Sequence, residues 1–147
     1  RRDHYAFDRD PLDIARGEDI VGRALAWAAP KLGDRPVLVY STATPEAVSA
    51  VQAQLGRANA GSLVEEALSQ IAKGLVARGV RRLVVAGGET SGAIVGALGV
   101  EGLTIGAEID PGVPWTASLG EPRLALALKS GNFGTVDFFT KAFGAYR

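Results

Sequence analysis

Apolar residues along this chain recur in two rhythms, one helical and one strand-like, that alternate from one end to the other. From Gly17 to Lys31 the residues Ile20, Val21, Ala24, Leu25, Trp27 and Ala28 fall at helical spacing, and Pro30 with Gly33 ends the pattern, so a first helix is predicted. Pro36-Val37-Leu38-Val39-Tyr40-Ser41 is a short β-branched run between turn formers, which predicts a strand buried on both faces. Thr44 is placed to cap the next helix, with Pro45 at its first position, where the missing N–H has no partner to lose. A further helix is expected where Ser62 and Glu65 form a capping box and Val64, Ala67, Leu68, Ile71, Leu75 and Val76 line one face, with Gly79 as its end.

The second half continues the alternation. Leu83-Val84-Val85-Ala86 predicts a buried strand that turns abruptly at Gly87-Gly88 into a short helix from about Thr90 to Leu98. A strand over Leu103 to Ile109 follows, then Asp110-Pro111-Gly112-Val113-Pro114-Trp115, which reads as a stiff connector that shapes a pocket wall, stacks Trp115 on a base, or half-buries that tryptophan. Leu124-Ala125-Leu126-Ala127-Leu128 puts leucine on one face and alanine on the other, as a central strand would. The last helix is expected over Val136 to Phe143, with Asp137 at its start and Phe138-Phe139 on its core face. Strands alternating with helices predict an α/β layered sandwich, with a parallel or mixed central sheet flanked by helices.

Composition narrows the chemistry. With 147 residues, 47% hydrophobic and 22% charged, the chain has the make-up of one globular domain spanning residues 1–147. Its 16 basic and 16 acidic side chains cancel, so no global field favours nucleic acid or an anionic membrane. The absence of cysteine excludes a disulfide framework, a thiolate metal site and a cysteine nucleophile. The single histidine, His4, in a charged stretch, is expected to be an ordinary exposed imidazole. No apolar segment approaches the roughly 20 residues of a membrane span, and nothing resembles a signal peptide, so a cytoplasmic location is expected. The chain has no methionine, which suits a fragment better than a complete gene product.

Glycine is concentrated where the chemistry is expected: 12 of the 19 lie in residues 87–147. The strand ending at Ala86 enters a helix through Gly87-Gly88-Glu89-Thr90-Ser91, so free N–H groups at a helix N-terminus form an anion site. Thr90 and Ser91 can add hydroxyl donors. Glu89 beside a phosphate is repulsive unless it holds Mg²⁺ or a water, or simply satisfies the helix N-terminus. The second loop, Lys129-Ser130-Gly131-Asn132-Phe133-Gly134, again follows a strand and precedes a helix. Lys129 offers a mobile cation, Gly131 and Gly134 permit close backbone approach, and Asn132 can donate or accept. Each loop also fits an ordinary turn, the second with Phe133 in the core; two at the ends of two strands can face one ligand.

Taken in order, Val84-Val85-Ala86-Gly87-Gly88-Glu89-Thr90-Ser91-Gly92-Ala93, then Gly106-Ala107-Glu108-Ile109-Asp110-Pro111-Gly112-Val113-Pro114-Trp115, then Leu126-Ala127-Leu128-Lys129-Ser130-Gly131-Asn132-Phe133-Gly134 with Asp137-Phe138-Phe139, these segments resemble the C-terminal nucleotide-binding domain of the four-carbon acid sugar kinases. The resemblance is strong over residues 84–139 and less diagnostic before them. It implies ATP-dependent phosphorylation of a threonate, erythronate or 3-oxo-tetronate type acid, with Mg²⁺, and with Gly88, Glu89, Thr90 and Ser91 along the ATP phosphates and Gly131 across the nucleotide. Gly87, Lys129, Ser130 and Asn132 complete the expected ATP-binding set. The resemblance further implies a separate N-terminal sugar-acid domain that supplies the general base, and an upstream Ser-Cys-Ser type segment at the nucleotide site. Both are expected to lie outside this chain, which is then inactive alone. The alternative is a non-catalytic nucleotide- or phosphate-binding regulatory module.

Overall fold

The structure, a computed structural model, describes residues 5–9, 13–14, 16–41 and 45–144. The expectations for His4 and for the Thr44 cap lie outside these residues. The chain divides into two compact units, Arg1–Arg78 and Gly79–Arg147.

The first unit contains β1 (Tyr5–Arg9), α1 (Ile20–Ala28) with a 3₁₀ turn over Ala29–Lys31, β2 (Val37–Ser41), α2 (Pro45–Leu55) and α3 (Arg57–Ala77). Strands β1 and β2 pair in parallel, from Tyr5 opposite Val37 to Arg9 opposite Ser41. Helix α1 starts where the Asp19 carboxylate accepts the Gly22 N–H at 2.8 Å, which satisfies one of the first-turn donors. Phe7, Ala24 and Ile71 form the core, with Val21, Leu25, Trp27, Val39 and Leu75 packed around them. A side chain at Gly74 would strike Leu25, so the absence of a Cβ is what lets α1 and α3 approach.

Two expectations for this unit need correction. Helix α3 does not begin at a Ser62 capping box; it begins at Arg57, after Gly56 at φ +81°, and Ser62 lies inside it. Glycine's tolerance of that dihedral supplies the break, while Arg57-Ala58-Asn59-Ala60-Gly61 carries too few large apolar residues to reveal the first turns. Strand β2 is half-buried at all five positions rather than enclosed on both faces.

The second unit contains β3 (Arg82–Ala86), α4 (Gly88–Ala97), β4 (Leu103–Asp110), β5 (Val113–Ser118), β6 (Ala125–Lys129) and α5 (Phe138–Gly144). Its sheet has the order β3-β6-β5-β4, parallel between β3 and β6 and antiparallel elsewhere. The fold is thus α/β with parallel and mixed sheets flanked by helices, as expected. Strand β6 is central, and its alternation decides the packing. Ala127 faces Val113, Trp115, Phe138 and Ala142 in the cluster that α5 closes. Leu126 lies on the opposite face, as do Leu83 and Val85 of β3, all three buried; α4 packs on these two strands.

The segment from Asp110 to Trp115 is not a stiff connector. Asp110 closes β4, Pro111-Gly112 is the turn, and Val113 opens β5 opposite Asp110. Gly112 has φ +79°, and glycine is the residue that meets this requirement at the second turn position behind a proline. Pro114 hid the strand, because proline lacks a ladder N–H. It sits opposite Glu108 between two register shifts, where the ladder is already interrupted. Trp115 is only 6% exposed and donates its indole N–H to the Ala142 carbonyl at 3.1 Å. It is a core residue, and stacking on a base is excluded.

Candidate functional site

The parallel pairing of β3 with β6 sets Ala86 directly opposite Lys129, so both glycine-rich loops leave the same end of two adjacent strands. They are joined there by a hydrogen bond from the Gly87 N–H to the Lys129 carbonyl, 2.8 Å long. Gly87 itself has φ +116° and caps α4, whose helical residues begin at Gly88 rather than Thr90. The Ser91 N–H returns to the Gly87 carbonyl at 2.9 Å, closing the first turn. The N–H groups of Gly88, Glu89 and Thr90 precede the first intrahelical donor and project from the helix end, with the positive end of the helix dipole behind them.

Ser130 also stands close to that helix end, since a Cβ on Gly88 would lie 3.2 Å from the Ser130 hydroxyl. Lys129 is half-buried and donates to the Gly131 carbonyl at 2.9 Å. An ammonium has three donor hydrogens, so this bond does not exhaust it. Gly131 and Gly134 take φ +50° and +89°. Asn132 is exposed in the turn. Glu89, on the first turn of α4, is exposed as well. The nine residues singled out by sequence therefore gather at one end of the sheet.

Ser91 is 9% exposed and its hydroxyl has no hydrogen-bond partner. A buried hydroxyl left in that state costs about 1–3 kcal/mol. Ser69 in α3 shares the condition, so an orphan hydroxyl by itself does not mark a ligand. At Ser91 it coincides with a helix N-terminus, which Ser69 lacks.

Phe133 departs from the expectation of a core position. It is 56% exposed, with Val136 and Phe139 also exposed nearby in sequence, while Phe138 takes the core place. The Phe133 ring lies over the hairpin turn, about where a side chain on Gly112 would have to go.

Sequence reading missed a polar network behind the second loop. Asp110, 4% exposed at the end of β4, accepts the Thr135 N–H and hydroxyl on one oxygen, both at 2.9 Å, and the Lys141 ammonium on the other. The Thr135 hydroxyl also lies 2.6 Å from Asp137. It carries one proton, so it serves one carboxylate at a time, whereas the backbone bond to Asp110 is independent of that choice. The Lys141 contact, then the Thr135 N–H, hold the Asp110 carboxyl at about 2, against 3.8 ordinarily. The Thr135 hydroxyl lowers Asp137, and Asp110 raises Lys141. A local signal was not available, since Asp110 is 25 residues from Thr135 and 31 from Lys141.

Among the described residues, no group of three or more His, Asp or Glu side chains is placed to hold a metal ion, and no helix is long and apolar enough to cross a membrane.

Comparison with known proteins gives these loops a family. Residues 2–139 match the family described as a nucleotide-binding C-terminal domain. The 3-oxo-tetronate kinase of Burkholderia multivorans is 61% identical over 140 residues, which cover 95% of this chain and 32% of that protein. The 3-oxo-tetronate kinase of Pseudomonas fluorescens is 63% identical over 135 residues, covering 92% of this chain and 31% of that one. The crystal structure of a Haemophilus influenzae protein, from a family of uncharacterised domains, superposes with a TM-score of 0.88 at 37% identity and covers 97% of this chain and 35% of that one. The chain thus spans about a third of the length of the curated relatives it matches. It belongs to the nucleotide-binding C-terminal domain family, and the relatives named above are 3-oxo-tetronate kinases.

Proposed function

We propose that the chain is the ATP-binding part of a kinase that phosphorylates a four-carbon sugar acid of the 3-oxo-tetronate type, working with an N-terminal sugar-acid domain of the same protein in the cytoplasm. The observation that carries the reading is the bond from Gly87 to Lys129, which sets the α4 N-terminus and the second loop side by side on neighbouring parallel strands. A helix N-terminus of this kind suits phosphate oxygens, through free N–H groups and the dipole together.

In this reading Gly87 shapes the turn, and the N–H groups of Gly88, Glu89 and Thr90 take the phosphate oxygens. The Thr90 and Ser91 hydroxyls add donors, which would satisfy Ser91. Lys129, Ser130, Gly131 and Asn132 close the opposite side. Lys129 offsets the charge that spreads over the transferred phosphoryl group, and transfer of this kind depends mainly on positioning and charge. Mg²⁺ bound with ATP supplies further neutralisation, and Glu89 is the loop's carboxylate suited to hold it directly or through water. The general base for the acceptor hydroxyl belongs to the sugar-acid domain, so the 147-residue chain should bind ATP and phosphorylate nothing.

Calorimetric titration of the chain with ATP-Mg²⁺, and separately with a sugar phosphate, tests the proposal. Heat with ATP-Mg²⁺ is expected. No heat, or a preference for the sugar phosphate, would favour a phosphate-binding regulatory module instead. The whole protein should then transfer phosphate from ATP to 3-oxo-tetronate-type acids.

A further inference from the structure

The second loop is tied down at both ends. Its entry is fixed by the hydrogen bond from Gly87 to the Lys129 carbonyl. Its exit, at Thr135, is fixed by Asp110, which belongs to neither glycine-rich loop. Asp110 reaches it from the end of β4, where the hairpin to β5 turns at Pro111-Gly112. The same hairpin supports the middle of the loop, because the Phe133 ring rests over Gly112, where a Cβ would come within 3.0 Å of it. Gly131 is exposed and Gly134 half-buried, and both take the positive φ that suits glycine, so the loop's own side chains do little to restrict it.

We infer that Asp110 is a positioning residue for nucleotide binding: through Thr135 it holds the loop of residues 129–135 against the N-terminal end of α4. The chemistry of the contact fits that task. The backbone N–H fixes the position of Thr135 whichever carboxylate takes the hydroxyl proton, and when the hydroxyl also donates to Asp110 its rotation is fixed as well. Charge-assisted bonds of this kind are stronger than neutral ones. A carboxylate behind an anion-binding loop would repel the ligand, but Lys141 occupies the other oxygen and cancels that charge locally. The pairing of Lys141 with Asp110 in turn ties α5 to the same point.

The inference rests on the nucleotide reading for its consequence but not for its geometry, and two measurements on the full 147-residue chain separate them. The first is amide hydrogen exchange without ligand, comparing the native chain with D110N, T135V and T135S. Exchange of residues 130–135 should rise roughly 10- to 100-fold in D110N and less in T135V, while the amides of β3 and β6 stay within about twofold. Thr135→Ser keeps both bonds and should behave as the native chain. The second is calorimetric titration with ATP-Mg²⁺, in which D110N should bind at least about tenfold more weakly. The D110N/T135V double variant should lose clearly less than the sum of the two singles, because both act through one contact.

An increase spread evenly over the sheet would make Asp110 a general stabiliser and overturn the inference, as would unchanged exchange at residues 130–135. If D110N does not fold, Thr135→Val against Thr135→Ser decides the same question. Should the native chain bind no ATP, the nucleotide proposal fails, and the exchange comparison still decides whether Asp110 holds the loop.

Discussion

The amide of Gly87 and the carbonyl of Lys129 are hydrogen-bonded at 2.8 Å, which makes two loops 42 positions apart in sequence a single structural unit. Gly88 faces Ser130 across that junction, and a Cβ there would stand 3.2 Å from a hydroxyl that can rotate away. Gly88→Val should therefore fold with a melting temperature within a few degrees of the native chain. Its branched side chain would nonetheless fill the space in front of the α4 N–H groups. Affinity for ATP-Mg²⁺ should fall by at least about 100-fold, a loss of roughly 2.7 kcal/mol. Unchanged affinity by calorimetry would remove the first loop from the site.

Gly106 in β4 is constrained by backbone rather than by a side chain. A Cβ there would come within 2.8 Å of the Trp115 carbonyl oxygen on the paired strand, next to a register shift. Backbone in a sheet cannot give as a side chain can, so Gly106→Ala should cost about 1–3 kcal/mol. Gly102→Ala provides the contrast, because the atom it meets is the end of the exposed Leu119 side chain. That variant should stay within about 0.5 kcal/mol. Urea denaturation of both would check the difference, and equal midpoints would refute it.

Trp115→Phe should destabilise the second unit by about 1–3 kcal/mol, since the Ala142 carbonyl in the last turn of α5 loses its buried partner. The indole also meets Phe143 edge-on at 6.3 Å, a contact the smaller ring would weaken. Nucleotide affinity should change little beyond this loss of stability. A selective loss of ATP binding at unchanged stability would instead return Trp115 to the binding site.

Much of this was legible in the sequence, and the failures around the site share a cause. Apolar period and turn residues gave β3, β6 and the approximate spans of α1, α4 and α5, because those signals are local, whereas β1 and the first turns of α3 were not foreseen. The gathering of Gly87–Ser91 with Lys129–Asn132 was also foreseeable, since each follows a strand and opens toward a helix. The β4–β5 hairpin was hidden by Pro114, whose place opposite a bulged Glu108 depends on the partner strand. The contacts of Asp110 with Thr135 and Lys141 were invisible for the same reason, as no periodicity links residues 25 and 31 apart. Phe133 reads as core in an ordinary turn, whereas it is exposed and rests over the hairpin turn at Gly112, a contact no local pattern announces.

Acid should weaken the second unit in a way that Asp110 determines. Its carboxyl is depressed from 3.8 to about 2, so the stability it contributes is complete above the ordinary value and is lost as pH falls through the folded one. Asp137 is lowered too and acts in the same direction. Lys141 is raised, and its share is lost only in the alkaline range above its ordinary 10.5. Urea midpoints followed from about pH 5 to about pH 2 should fall for the native chain and fall less steeply for D110N. Parallel curves would mean that Asp110 does not govern the acid limb.

Strand order carries a consequence for how such a chain is made. Strand β6 is the last of the sheet to leave the ribosome, yet it occupies the place beside β3, the first. Until Ala125–Lys129 has emerged, β3 lacks its parallel partner and Gly87 lacks an acceptor, so the cradle assembles late and all at once. Pairings of such long sequence separation form slowly. A chain interrupted before Ala125 would leave β3 without its one partner, the kind of surface that recruits other strands.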